Sequence, residues 1–244
     1  MDKLRVDIWS DVACPWCYVG KRRFEAALGR FAEREAVEVV WRSFELDTSA
    51  RSAADAGEYA ARLARKYRTS LPQAEAMIAT MAATGAAEGL ELRFDRARAC
   101  NTLDAHRLLH WAAARGAAAQ GALKERLLRA YFTEGEALDD AETLARLAGD
   151  VGLPSDEARA MLATTEGTRA VRADEAMAQT IGITGVPFFV FDGSLGVSGA
   201  QPAETLLEAL RRAWGAARDT IEGYDAAGER CDAEDCAPDA RPDA

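Results

Sequence analysis

Cys14 and Cys17 stand two residues apart in Asp11-Val12-Ala13-Cys14-Pro15-Trp16-Cys17-Tyr18. The apolar run Val6-Asp7-Ile8-Trp9-Ser10 precedes them, and the helical-looking stretch Lys21 to Phe31 follows. The pair therefore falls where a strand hands the chain to a helix. The first N–H groups of a helix have no partner within it, and the helix dipole makes that end positive. A thiolate at Cys14 is stabilised there, an effect that can bring a cysteine pKa from ~8.5 into roughly the 3.5–7.5 range. Pro15 suits the first helical turn, where its missing N–H costs nothing. Cys17, one turn on, is placed to attack a mixed disulfide formed at Cys14 and release the product. This is thiol–disulfide chemistry. Half of a zinc site is the competing reading, but no second Cys or His pair with ligand spacing completes it. A chance pair of core cysteines is the third.

The elements that must hold the pair follow from periodicity. Residues 4–10 and 36–44 read as strands; in the second, Val37, Val39 and Trp41 alternate with Glu38, Val40 and Arg42, a period of two. A helix from Cys14 to about Glu33 joins them, and a right-handed crossover makes the strands parallel. From Asp47 to Thr180 the chain shows helical patterns only, over 57–68, 71–85, 101–115, 119–134, 139–150 and 155–181. Their unequal spacing predicts an irregular bundle rather than a solenoid. Strand character returns in Phe188-Phe189-Val190-Phe191, Asp192-Gly193-Ser194 is a turn signal, and Leu195 to Gly199 completes a hairpin. Pro202 opens a last helix with Leu206, Leu207, Leu210 and Trp214 on one face. The order is β-α-β, a helical insertion, then β-β-α.

Bulk properties narrow the function. The net charge of −10 over 244 residues argues against a general nucleic-acid binder and against anionic membrane surfaces. No apolar run approaches the ~20 residues of a membrane span. The N-terminus leads straight into the first strand, so no secretory signal is expected. Five cysteines without an export signal suggest catalytic, sensing or metal roles, and a cytoplasmic location.

This chain resembles the DsbA-like branch of the thioredoxin fold, and more closely its FrnE-type cytoplasmic members. The resemblance is carried by Ser10 to Lys21, by Asn101-Thr102 with Ala105-His106, by Gly182-Ile183-Thr184-Gly185-Val186-Pro187-Phe188-Phe189-Val190, and by Ser198-Gly199-Ala200-Gln201-Pro202. It implies an α/β thioredoxin fold interrupted by a large all-helical insertion. The expected division is 1–46 and 181–217 for the two parts of the thioredoxin fold, 47–180 for the insertion, and 218–244 for an acidic tail.

By that resemblance Cys14 is the nucleophile and Cys17 the resolving thiol. Pro187 on its own reads as the start of an edge strand; the resemblance implies a cis-proline facing the cysteines. Val186 then offers backbone groups to an extended substrate peptide, and Pro15 and Trp16 complete the substrate-binding set. Trp16 stands where exported members often carry His, and it cannot stabilise a thiolate by charge. That substitution implies a less oxidising pair; the direction of electron flow stays open.

His106 and His110 share one helix face at a spacing metal sites use, but no carboxylate with ligand spacing joins them. No metal or cofactor is expected from them, and Cys100 reads as a buried apolar residue. In the tail, nine acids against three arginines place −6 of the net charge after residue 217. That composition favours disorder, yet the tail holds Cys231 and Cys236. By the resemblance they form an auxiliary redox pair exchanging with Cys14 and Cys17. The surrounding acids disfavour thiolates, so these cysteines should attack slowly; divalent-metal capture by two thiolates with Asp232, Glu234 and Asp235, and an incidental surface pair, remain alternatives.

The expected activity is that of a thiol–disulfide oxidoreductase or disulfide isomerase. Its expected partners are protein thiols and disulfides, with glutathione or a thioredoxin-like reductant, in a monomer or homodimer. Two rivals follow. Glutathione-dependent isomerases and transferases of the hydroxychromene-carboxylate and kappa types share the implied fold but put Ser where Cys14 stands. A metal-buffering protein would use the tail cysteines instead.

Overall fold

The computed structural model describes residues 3–50, 52–53 and 58–227. The fold is a thioredoxin fold with a helical insertion. Strand β1 (Leu4–Ser10) leads into α1 (Pro15–Gly29), which returns through a 3₁₀ turn, Arg34–Ala36, to β2 (Val37–Ser43). The insertion comprises α2 (Tyr59–Tyr67), α3 (Leu71–Ala87), α4 (Leu103–Ala113), α5 (Ala117–Arg129), α6 (Ala141–Asp150), α7 (Ser155–Leu162) and α8 (Thr168–Thr180). Strands β3 (Phe188–Phe191) and β4 (Leu195–Ser198) and helix α9 (Ala203–Ala227) close the chain.

The four strands lie in the order β2-β1-β3-β4. β1 runs parallel to β2, with Val6 opposite Val39, and antiparallel to β3, with Ile8 opposite Phe189. Alternation along β1 sorts its side chains. Leu4, Val6 and Ile8 join Phe24, Phe189, Phe191, Leu206 and Leu210 in one core, beneath α1 and α9. Trp9 faces the other way, and its indole N–H donates to the carbonyl of Asp174 in α8 at 3.0 Å. A second, larger core fills the insertion, and Val12, Tyr18 and Val19 from the thioredoxin part reach into it. Burial thus ties the two parts together at the start of α1.

The outer edge of β2 is closed by side chains. Gln120 accepts from the Trp41 N–H at 3.1 Å and donates to the Trp41 carbonyl at 3.0 Å, standing in for a neighbouring strand. Asp174 accepts from the Ser43 N–H at 2.9 Å.

Several boundaries differ from the sequence pattern. Helix α1 stops at Gly29 rather than near Glu33; the Arg30 and Phe31 amides turn back onto the Ala27 and Leu28 carbonyls. The single helix expected over 155–181 is two, separated at 163–167. The break is held from outside: the buried Arg107 guanidinium donates to the carbonyls of Met161, Thr164 and Glu166. Gly167, at φ +81°, lies so close to the Arg107 backbone that a Cβ would stand 3.3 Å from its Cα. The helix expected over 119–134 changes to a π-helical turn at Ala130–Glu134. Helix α9 continues to Ala227. Cys231 and Cys236 lie outside the described residues.

Candidate active site

Cys14 is the N-cap of α1, in extended conformation (φ −102°, ψ 113°), with Pro15 as the first helical residue. Its carbonyl accepts from the Cys17 N–H at 3.0 Å, which fixes the one-turn separation of the two cysteines. Both side chains are buried, whereas Trp16 between them is 45% exposed. Cys14, Cys17 and Cys100 are free thiols.

The two thiols are unequal. Hydrogen bonding from the Cys17 thiol, and then from the Cys17 and Trp16 amides, holds Cys14 below the ordinary cysteine range. It does so against burial and against the negative charge of Asp11. Burial, then the donated hydrogen bond and the charge at Cys14, pushes Cys17 well up. The arrangement therefore favours ionisation at Cys14 over ionisation at Cys17.

Opposite the pair, the Val186–Pro187 peptide bond is cis. The Cys14 Sγ lies 3.7 Å from the Val186 carbonyl oxygen. Close approach of this loop to α1 depends on Gly20: a Cβ there would meet Pro187 Cγ at 2.8 Å. Behind Pro187, the Gly199 N–H donates to its carbonyl at 2.8 Å. Val186 thus stands against Cys14, while Pro15 and Trp16 lie between the two cysteines and Trp16 alone of these is exposed.

Beneath it lies a buried polar group assembled from separate elements. Asp11 is 1% exposed. Its carboxylate accepts from the Ala13 N–H at 3.2 Å and the Leu46 N–H at 2.8 Å, and His106 Nε2 lies 3.4 Å away. Burial alone would push this carboxyl up, but His106 and the two amides outweigh it and hold it below the usual carboxylate range. His110, one turn further along α4, serves a different acid: its Nε2 lies 3.1 Å from Asp174 Oδ2 and 3.1 Å from Ser43 Oγ. The two histidines share a helix face yet engage separate carboxylates. Among the described residues no group of three His, Cys, Asp or Glu side chains is arranged to hold a metal ion.

Lys124 of α5, which is not among the residues singled out above, is fully buried, close enough to Asp11 and the two cysteines for their charges to act on it. Its Nζ has no hydrogen-bond partner among the described residues and sits 5.6 Å from the Trp41 ring centroid. The signal was present: Gln120, Leu123, Leu127 and Leu128 form the buried stripe of α5, and position 124 falls within it. Cys100 is buried, and burial pushes its thiol up to about 12. A cavity of about 750 Å³ opens on the insertion side, lined by Tyr59, Ile78, Phe94, Arg96 and Arg98 among others; no cysteine lines it.

Comparison with known proteins agrees with this architecture. The family described as a DSBA-like thioredoxin domain matches residues 5–211. A probable DsbA oxidoreductase from Streptomyces coelicolor is 45% identical, with a TM-score of 0.81 over 98% of this chain and 100% of that one. A 2-hydroxychromene-2-carboxylate isomerase shares the fold at 16% identity and TM-score 0.64, over 88% of this chain and 98% of its own. So does the cytosolic disulfide reductase DsbM from Pseudomonas aeruginosa, at 16% identity and TM-score 0.58, over 90% and 99%. DsbM has also been solved with GSH, a structure with TM-score 0.57 and 15% identity over 90% of this chain and 100% of that one. No helix among the described residues is long and apolar enough to cross a membrane.

Proposed function

The chain belongs to the DSBA-like thioredoxin family, and on that premise we propose that it is a thiol–disulfide oxidoreductase of protein thiols, of the FrnE type and acting in the cytoplasm. The observation that carries the reading is the geometry of the pair: Cys14 caps α1 one turn before Cys17, with its Sγ 3.7 Å from the carbonyl of Val186 in the cis Val186–Pro187 unit.

In the reducing direction, the Cys14 thiolate attacks one sulfur of a substrate disulfide. A Cys14–substrate S–S bond forms, and the other substrate sulfur leaves as a thiolate that takes a proton from water. Cys17 then loses its proton and attacks Cys14 Sγ. The Cys14–Cys17 bond forms, the substrate's second sulfur leaves, and the protein pair is oxidised by the two electrons the substrate gains. Run backwards, the same steps oxidise a dithiol; interrupted at the mixed disulfide, they allow isomerisation.

Val186 supports the substrate side. Its N–H makes no hydrogen bond to a described residue, so an extended peptide can pair with it beside Pro187. Trp16, exposed between the cysteines, and Pro15 supply the apolar surface of that groove. The pair Cys231 and Cys236 is proposed as an auxiliary dithiol that exchanges with Cys14 and Cys17. Glutathione or a thioredoxin-like protein is the proposed reductant, consistent with the DsbM structure that carries GSH. The glutathione-dependent isomerase reading is disfavoured by Cys17, because a second thiol would divert a Cys14–glutathione adduct into a protein disulfide.

The test is disulfide turnover on a protein substrate by wild type, Cys14→Ser and Cys17→Ser. Loss of turnover in Cys14→Ser, with covalent substrate adducts accumulating in Cys17→Ser, is the expected result. Full reductase activity in Cys14→Ser would overturn the proposal.

A further inference from the structure

The interior of this protein treats its two buried α1- and α5-side lysines differently. Lys21 is 4% exposed, and its Nζ bonds Glu25 at 2.5 Å and Glu125 at 2.6 Å, as a buried ammonium should. Lys124 is 0% exposed and its Nζ has no hydrogen-bond partner among the described residues. A buried amine without a partner is costly as a cation, so a structural role explains it poorly. The charges that face it come from every side: Cys17, Cys14 and Lys21 from the active-site helix, and Asp11 from the β1–α1 loop. From β2 the Trp41 ring approaches. Burial lowers the amine to about 8, against negative charge at Cys17, Asp11 and Cys14, which favours its charged form.

The resolving step described above has an unmet need. Cys17 is 1% exposed, and its proton must leave before it can attack Cys14, in a place water does not reach. We propose that Lys124 is the proton acceptor for Cys17 when the mixed disulfide is resolved, and that the state of Cys14 times the transfer. This inference rests on the oxidoreductase reading and adds to it the residue that moves the proton.

The timing follows from the charges. In the reduced protein the Cys14 thiolate and the Asp11 carboxylate together favour the ammonium. Once Cys14 is tied up in a mixed disulfide, its negative charge is gone and only Asp11 remains. The amine then gives its proton up more readily and becomes a base. The same loss removes the charge at Cys14 that had pushed Cys17 up. Neutral Lys124, its Nζ held by no hydrogen bond to a described residue, swings onto the Cys17 thiol and accepts its proton; the Cys17 thiolate attacks Cys14 Sγ, and the Cys14–Cys17 bond forms as the substrate thiolate leaves. In reverse, the Cys17 thiolate released on reduction takes the proton back from the ammonium. Because α5 belongs to the insertion, the base arrives from outside the part of the fold that carries the cysteines.

The experiment uses the full-length chain with Cys231 and Cys236 replaced by Ser, so that the site thiols alone report. Reduced protein is mixed with 5,5′-dithiobis(2-nitrobenzoate) and release of the coloured thiolate is followed by stopped flow. The first release, second order in reagent, is attack by Cys14; the second, independent of reagent concentration, is resolution by Cys17. In K124M the second phase is expected to slow about a hundredfold at pH 7, the size of a lost general base. The deficit should shrink tenfold per pH unit as Cys17 ionises unaided. An unchanged second phase with an unchanged pH profile would overturn the role of Lys124 while leaving the oxidoreductase intact. Absence of the first phase in the unsubstituted site would instead remove the reading on which it rests.

A second measurement needs no substitution at Lys124. The side-chain ¹³Cε resonance of Lys124 is titrated in reduced wild type and in Cys14→Ser. The midpoint is expected to lie near 8 in wild type and lower in Cys14→Ser, where the thiolate is missing. A lysine that stays charged through pH 10 in both proteins would overturn the proposal.

Discussion

Gly20 and Pro187 meet where α1 passes the Val186–Pro187 loop, so closely that a Cβ on residue 20 would lie 2.8 Å from Pro187 Cγ and 3.5 Å from the Ala200 Cβ. The contact sets how near Val186 stands to Cys14. Gly20→Ala should therefore push the loop outward more than it disturbs the core. Overpacking of this kind costs roughly 1–3 kcal/mol. Disulfide turnover of a protein substrate should fall by more than the stability loss explains, about tenfold at full folding. Alkylation of Cys14 by iodoacetamide, which needs no groove, should change little. Equal losses in both assays would mean the glycine serves packing alone.

Differential alkylation at pH 7 should order the described cysteines. Cys14, held down by its neighbours, should be labelled first; Cys17 and Cys100, both pushed up and buried, should remain unlabelled in the native state. Peptide mass spectrometry after short exposure reads this directly. Labelling of Cys100 ahead of Cys14 would contradict the electrostatics of the site.

Asp11→Asn tests the buried carboxylate from two directions. Its negative charge opposes the Cys14 thiolate, so the midpoint of Cys14 alkylation against pH should move down in the variant. Stability should drop by about 1–3 kcal/mol, because an amide cannot satisfy the Ala13 and Leu46 amides and His106 together. The wild-type carboxyl is held below its unfolded value of about 3.9, so its contribution is complete above that pH. It is lost as the pH falls through the lower folded value. Denaturant unfolding between pH 7 and 3 should show a larger loss in wild type than in Asp11→Asn, where the other paired carboxylates alone respond.

Arg107→Met removes the guanidinium that gathers the Met161, Thr164 and Glu166 carbonyls. Those carbonyls would be left inside without donors, at about 3 kcal/mol in all. The thermal midpoint should fall by about 6–12 °C for a chain of this size. A change under 2 °C would show that the break between α7 and α8 holds itself.

Removing the tail after Ala227, or replacing Cys231 and Cys236 by Ser, should leave the Cys14–Cys17 equilibrium with glutathione unchanged but slow its re-oxidation. Redox titration with thiol trapping, followed by a time course, separates the two. An unchanged time course would give the tail cysteines a separate task.

The reach of the sequence is uneven for a physical reason. The cysteine pair at a strand-to-helix junction, the hairpin after Val186-Pro187 and the long helical stretch are local patterns, written in neighbouring residues. The break at 163–167 is written in Arg107, some fifty residues away, and periodicity has no access to it. The pairing of His106 with Asp11 and His110 with Asp174 is equally non-local; their spacing said only that they share a face. The buried apolar residues Leu90, Leu92, Phe94 and Ala97 sit in irregular backbone with no period to betray them. Lys124 was hidden differently, since a lysine on an apolar stripe is easily taken for one that reaches to solvent.

The clasp of Gln120 on Trp41 has one more consequence. Were the protein's substrates extended polypeptide segments, as proposed above, an open sheet margin would invite them to stack upon it. At Trp41 both main-chain groups of β2 are already taken, so this flank of the sheet offers visitors no template there. On the proposed reading a substrate segment would pair beside Val186 instead, where contact can end in exchange and departure rather than in accretion.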